Sequence, residues 1–197
     1  MFYKNMKKIT FDIETQNTFE DVGSNDPADL DISLVCIHDS ETDKYDTFMY
    51  DDLDRLWPFL EDADMLIGFN SDHFDIPLLN KHYHGDLTKI KSLDILKEIK
   101  NSLGKRIKLD TIAEATLGTN KSGHGLDAIK WWNSGEIDKI KKYCLDDVRI
   151  TKEVYEYALK HKKLKYKDRI THEILDINLN TDEWEKKEES GMMGSLF

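Results

Sequence analysis

Three short acidic stretches carry the residue types that phosphodiester chemistry needs. Phe11-Asp12-Ile13-Glu14-Thr15 lies near the N-terminus, Asn70-Ser71-Asp72-His73-Phe74-Asp75 in the middle, and Tyr143-Cys144-Leu145-Asp146-Asp147 in the last third. Carboxylate oxygens are hard donors that suit Mg²⁺ or Mn²⁺. Two such ions held by carboxylates are the apparatus of a two-metal phosphodiesterase. Asp12 and Glu14 stand two apart on a predicted strand, so they share one face while Ile13 points into the opposite layer. Like charges placed in this way repel unless a cation lies between them; the alternative for this pair alone is an exposed acidic strand edge. Asn70 and Asp75 flank a turn between a strand end and a helix start, where α/β proteins tend to form sites. Asp75 is expected to face the same cleft as Asp12, with Phe74 packed beneath it, while Asp72 reads as a helix cap. Tyr143 and Asp147 are four apart in a helical stretch and share a face. Tyr143 is either a hydrogen-bond donor to water or phosphate or a half-buried core aromatic. Asp146 competes with Asp147 on position alone.

The elements that must position these groups are legible in the hydrophobic pattern. Lys8 to Ile13 alternates as a strand does. Residues 16–31 hold Asn, Asp, Gly, Ser and Pro27 and read as a polar loop. Ser33 to Ile37 is a continuous apolar run, the mark of a central strand. A hairpin turn over Asp39 to Lys44 leads to a strand over Tyr45 to Tyr50. Leu53, Leu56, Trp57 and Leu60 have helical spacing, and Met65 to Phe69 is a further short strand. Beyond it the pattern is helical: from Phe74 to His82, from Leu93 to Leu103 ended by Gly104, from Leu109 to Leu117 ended by Gly118, from Leu126 to Trp132 and from Ile137 to Lys162. Strands first and helices around them predict an α/β layer fold. The reading gives one domain over residues 1–175 and a charged, flexible tail over 176–197, in which 178–190 are the most polar.

The chain has 197 residues, is 39% hydrophobic and carries a formal net charge of −11. That length and apolar content suit one domain with a real core. No apolar run approaches the roughly 20 residues of a membrane span, and Ile9 to Ile13 is too short and charged for a signal peptide. Cys36 and Cys144 form no zinc pattern or disulfide framework, which fits reduced thiols in a cytoplasmic protein. The charge is uneven. Residues 1–96 carry 21 Asp/Glu and 8 Lys/Arg, residues 97–173 carry 12 and 18, and residues 174–197 carry 6 and 2. An acidic half to hold cations beside a basic half to hold phosphates suits a metal nuclease, although surface variation alone also gives such contrasts.

Together the motifs resemble the DEDD superfamily of 3′–5′ exonucleases, which has a ribonuclease H-like fold with a mixed central sheet flanked by helices. The family's Asp-x-Glu matches Asp12 and Glu14, its Asn-x(2–3)-Phe/Tyr-Asp matches Asn70, Phe74 and Asp75, and its Tyr-x(3)-Asp matches Tyr143 and Asp147. That last spacing selects Asp147 over Asp146. The histidine branch of the family needs His where this chain has Lys142, so the resemblance is to the tyrosine branch. Ser92 to Leu96 and Lys108 to Ala113 extend it to the exonuclease domain of family B DNA polymerases and stand-alone bacterial relatives. The resemblance implies that Asp12, Glu14, Asp75 and Asp147 hold two divalent ions, Mg²⁺ or Mn²⁺, and that Tyr143 helps to position the attacking water. It implies release of nucleoside 5′-monophosphates from the 3′ end of DNA, single strands preferred, in repair or replication. RNA is the alternative substrate, and a catalytically silent adaptor is the alternative from another class. Thr15, Asn70, Phe74 and Lys142 are expected to contact substrate.

Several further residues have two readings. Lys105, Arg106, Lys108 and Lys121 surround a Gly-rich stretch that either approaches phosphates or merely connects elements. Of Trp131 and Trp132, one is expected in the core and the other is a candidate for base stacking. Lys139, Lys141 and Lys142 line the substrate channel or a solvated helix face. The apolar end Ser195-Leu196-Phe197 on a charged tether is a candidate docking peptide for a sliding clamp, although the usual upstream Gln is missing. Any helicase or polymerase partner is expected to be a separate chain.

Overall fold

The computed structural model describes residues 6–119 and 125–186. Its centre is β1 (Lys8–Thr15), whose alternating residues are buried on both faces. A five-stranded sheet in the order β3-β2-β1-β4-β5 is built around it. β2 (Ile32–Asp39) and β3 (Lys44–Met49) run antiparallel in a meander, while β4 (Met65–Gly68) and β5 (Ser92–Asp94) run parallel to β1 and β4 respectively. One face of the sheet packs Ile9, Phe11 and Ile13 of β1 with Val35 and Ile37 of β2 against Leu60 of α2 (Trp57–Glu61) and Ile76 and Leu79 of α3 (Asp75–Asn80). On the other face Leu34 and Cys36 meet Ile140, Tyr143, Cys144 and Val148 of α7 (Ile137–His161). Met65 and Ile67 meet Ile150, Val154 and Ala158 farther along the same helix. Each such side chain contributes roughly 1.5–3 kcal/mol by leaving water. The mixed sheet between helical layers is the architecture that the sequence predicts.

Local detail departs from the pattern in four places. The polar loop contains α1 (Phe19–Val22), opened by a reciprocal cap in which Asp21 N–H donates to Thr18 Oγ1 at 3.2 Å and Thr18 N–H donates to Asp21 Oδ2 at 2.8 Å. The helical run expected from the spacing of Leu53, Leu56, Trp57 and Leu60 is split into a 3₁₀ turn (Leu53–Arg55) and α2, with Pro58, which has no N–H to donate, in the first turn of α2. β5 stands where a helix was expected to begin, and α4 (Ile95–Leu103) starts after it, capped by Asp94. Last, α5 (Leu109–Leu117) and α6 (Gly125–Asn133) precede α7, and after α7 the chain forms an unforeseen hairpin, β6 (Lys163–Lys167) and β7 (Ile174–Asn178).

The tail expected from residue 176 is a packed segment as far as residue 186. Ile177, Leu179 and Trp184 are buried in the core. The Trp184 ring stacks on Tyr155 with centroids 5.9 Å apart, and its Nε1–H donates to Glu98 at 3.2 Å. Glu185 accepts from Lys8 and from the Tyr155 hydroxyl. A few apolar anchors are thus enough to fix a segment whose composition is charged. The expectations for Lys121 and Ser195-Leu196-Phe197 fall outside the described residues. Among the described residues, no helix is long and apolar enough to cross a membrane.

Candidate active site

The site begins with a mismatch in strand length. β1 pairs with β4 only as far as Thr10 opposite Ile67, and β4 stops at Gly68 while β1 runs on to Thr15. The start of α3 fills the gap, and there the Asp75 carboxylate accepts from the backbone N–H of Ile13. Asp75 is 4% exposed. Burial pushes its carboxyl up to about 7, and the neighbouring Asp94 charge pushes the same way, against the pull of the Asp75 and Ile13 backbone N–H groups.

The turn that delivers Asp75 depends on backbone shape. A Cβ on Gly68 would lie 2.4 Å from Ser71 Cβ, so only glycine fits. Asn70 has φ +71°, a left-handed conformation that Asn tolerates better than most residues. Its N–H donates to Asp94 Oδ1 at 2.8 Å, and the Asp72 N–H donates to Asp94 Oδ2 at 3.3 Å. Asp94 Oδ1 also accepts from the N–H groups of Leu96 and Lys97, so one buried carboxylate both caps α4 and holds the turn. Asp72 is not a cap: it accepts from Ser92 Oγ at 2.7 Å and pairs with Lys97 at 2.7 Å. The first turn of α3 has no side-chain cap.

Asp12 and Glu14 face α7, as their two-residue spacing requires. Their carboxylates and the Cys144 sulfur lie within 4.8 Å of one another. The Cys144 S–H donates to the Asp12 carbonyl oxygen at 3.3 Å, and burial, with Cys36 beside it, pushes the thiol well above its ordinary pKa. A protonated thiol is a poor ligand for a hard cation. Cys144 therefore pins the strand, and the oxygen donors of Asp12 and Glu14 fit Mg²⁺ or Mn²⁺.

Helix phase decides the third element. Tyr143 and Asp147 are 4% and 5% exposed and line the same cavity as Asp12, Glu14 and Asp75. The Tyr143 ring meets Trp131 of α6 edge-on at 5.9 Å. Lys142 and Asp146 share the outer face of α7. Lys142 is exposed and does not line the cavity, against expectation, because it lies about 100° around the helix from Tyr143. Asp146 is also outside the cavity, with Arg149 at 3.6 Å. Thr15, Asn70 and Phe74 do line it; the Thr15 hydroxyl donates to the Asn17 carbonyl at 3.0 Å, and Phe74 packs edge-on against Phe19. Trp132 packs on Tyr50 and is half-buried, as is Trp131, so each ring already meets an aromatic partner.

The cavity is large, about 1310 Å³. Its lining also includes Lys105, Arg106 and Lys108, three of the four cations expected near phosphates. Arg106 Nη2 donates to Asn70 Oδ1 at 2.7 Å, so a basic group is tied to the residue that shapes the acidic turn. Asp110 of α5 adds a further carboxylate to the lining. The sequence reading missed the roles of Asp94 and of the β6–β7 hairpin. An Asp just before a helical run was the available signal for the first, and the alternation of Lys163 to Lys167 was the signal for the second.

A sequence model of the RNase H superfamily matches residues 9–159. The chain belongs to the RNase H superfamily. No curated protein matches significantly. Among solved structures, this RNase H-like chain is similar in fold to the family B DNA polymerase from the hyperthermophilic archaeon Pyrobaculum calidifontis. The TM-score is 0.63 and the identity 22%, over 81% of this chain and 25% of the polymerase chain. The present chain therefore corresponds to a quarter of the polymerase's length. The RNase H-like body is a nuclease fold, and Asp12, Glu14, Asp75 and Asp147 line one cavity of it.

Proposed function

We propose that this protein is a metal-dependent 3′–5′ exonuclease that removes nucleoside 5′-monophosphates from single-stranded DNA. One observation carries the reading: Asp12, Glu14, Asp75, Asp147 and Tyr143, drawn from three separate elements, line a single cavity. Asp12, Glu14, Asp75 and Asp147 would hold two divalent cations, Mg²⁺ or Mn²⁺. When bound, such ions supply positive charge to the scissile phosphate and acidify water. The high pKa of Asp75 fits a carboxyl built to share its burial with a cation. The chain's own groups do the rest. The Tyr143 hydroxyl, its ring held by Trp131, orients the attacking water or a phosphate oxygen. Asn70, Phe74 and Thr15 border the place of the terminal nucleotide. Arg106, steadied by Asn70, offers its remaining N–H groups to a non-bridging phosphate oxygen.

The test is a gel assay of 5′-labelled single-stranded DNA and RNA of one sequence, with Mg²⁺, Mn²⁺ or EDTA, using wild type and Asp12→Ala. The expected result is a metal-dependent ladder that shortens from the 3′ end on DNA and is absent in the variant. A stronger ladder on RNA would reverse the substrate assignment, and no cleavage by a folded wild-type protein would refute the exonuclease.

A further inference from the structure

The β6–β7 hairpin begins after the stretch matched to the superfamily ends at residue 159, yet it closes one side of the active-site cavity. It is firmly seated. Leu164, Tyr166 and Ile177 are buried beneath it. Thr116 of α5 ties β6 twice: its hydroxyl donates to the Lys165 carbonyl at 3.1 Å and accepts from the Lys165 N–H at 2.9 Å. The tip is fixed as well. The Asp168 carboxylate accepts from the N–H groups of Ile170 at 2.9 Å and Thr171 at 3.1 Å, and the Asp168 N–H donates to the Glu173 carbonyl at 2.9 Å. Lys105 reaches Asp168 at 3.5 Å and lies over the Tyr166 ring at 4.8 Å, which joins the tip to the basic wall.

On this rigid tip stands Ile170, 89% exposed, between the cavity and solvent. It is the most exposed large apolar side chain among the described residues. Lys167 and Arg169 also line the cavity, and neither has an ion-pair partner among the described residues. The cavity, at about 1310 Å³, exceeds the roughly 300–1,000 Å³ that encloses a drug-sized ligand, so it has room beyond one terminal nucleotide. Two cations with no ion-pair partner among the described residues, beside an exposed apolar side chain, match a nucleic-acid strand, which alternates phosphates with base faces.

We propose that the hairpin tip is an upstream subsite for the single strand. Lys167 and Arg169 bind phosphates 5′ of the terminal nucleotide, and Ile170 packs against a base of that strand. The proposal rests on the exonuclease reading. It assigns the hairpin a part in grip and none in bond cleavage.

The test is fluorescence anisotropy of the full chain with Ca²⁺ and 5′-fluorescein oligothymidylates, a dinucleotide and a decanucleotide, across a salt series. Variants are Lys167→Gln with Arg169→Gln, Ile170→Ser, and a charge-matched control, Lys44→Gln with Lys89→Gln, at exposed positions away from the cavity. The tip double variant should bind the decanucleotide at least tenfold more weakly and the dinucleotide within twofold of wild type. Its log K against log salt slope should be shallower by about 1.4, since each phosphate contact on a single strand contributes about 0.7. Ile170→Ser should bind the decanucleotide several-fold more weakly at an unchanged slope. The control should match wild type. If wild type digests single strands while the tip variants bind the decanucleotide with wild-type affinity and slope, the subsite is refuted and the exonuclease stands. If wild type neither binds nor digests single strands, both fail together. Thermal melts of each variant separate lost binding from lost fold.

Discussion

The floor of the cavity and its wall are built on opposite terms. The floor carboxylates of Glu14, Asp75 and Asp147 are buried, each set by a strand or helix and by neighbours that leave little freedom. The wall cations Lys105, Arg106, Lys108, Lys167 and Arg169 are exposed, on a connecting segment and a hairpin. Buried charge acts at short range in a poorly screened medium, whereas exposed charge is screened by salt and acts additively. The contrast teaches where to look for each property: turnover should fall all at once when the floor is cut, and affinity should fall by degrees when the wall is.

The strongest break is in the floor. Asp12→Ala and Asp147→Ala should each lower turnover by at least about a thousandfold, several kcal/mol of transition-state stabilisation, while a thermal melt shows the fold retained. Gly68→Ala forces a Cβ against Ser71 and should cost about 1–3 kcal/mol of stability, read by denaturant titration, with activity lost as Asp75 is displaced. Asp75→Asn should separate stability from activity. The Asp75 pKa is raised from 3.8 to about 7, so in metal-free protein the folded state holds its proton while the unfolded chain gives it up. The stability that this proton lends is complete below pH 3.8 and is lost as pH climbs through 7. In EDTA, Asp75→Asn should therefore melt higher than wild type above pH 7 and match it near pH 4, while its nuclease activity is abolished. In the wall, Arg106→Ala should raise KM up to about tenfold at low salt and less at high salt, with kcat changed little. The smallest effects belong to the outer face of α7: Lys142→Ala and Asp146→Ala should stay within about twofold of wild-type activity. A folded Asp146→Ala as inactive as Asp147→Ala would move the helix-borne ligand and end the contrast drawn here.

The floor was more legible in the sequence than the wall, for a physical reason. Period and type act together in Asp12-Ile13-Glu14 and in Tyr143 to Asp147, so strand alternation and helical phase alone say which side chains share a face. The structure places those residues where that phase requires, and the same argument, applied to Lys142, would have set it on the outer face beside Asp146. The mixed sheet between helices was equally readable, since β1, β2 and β4 are apolar runs. β5 was not, because three residues leading into a helix look like its first turn. The order of residues 176–186 was hidden as well: Leu179 and Trp184 are sparse among charges, and their burial depends on Tyr155 and Glu98, far away in sequence. The hairpin lay in the same blind spot, because its inward Leu164 and Tyr166 are separated by lysines that composition reads as a polar surface.

The hairpin's place in the chain gives it a kind of independence. It leaves α7 at Lys162, whose φ of +57° turns the backbone sharply away from the helix axis. Its loop from Asp168 to Glu173 supports no element of the sheet. Residues can therefore be inserted or exchanged between Asp168 and Glu173 without touching Asp12, Glu14, Asp75 or Asp147. With the subsite proposed above, the length and lettering of this one surface loop would set the grip on the strand, which gives an engineer an address at which to begin.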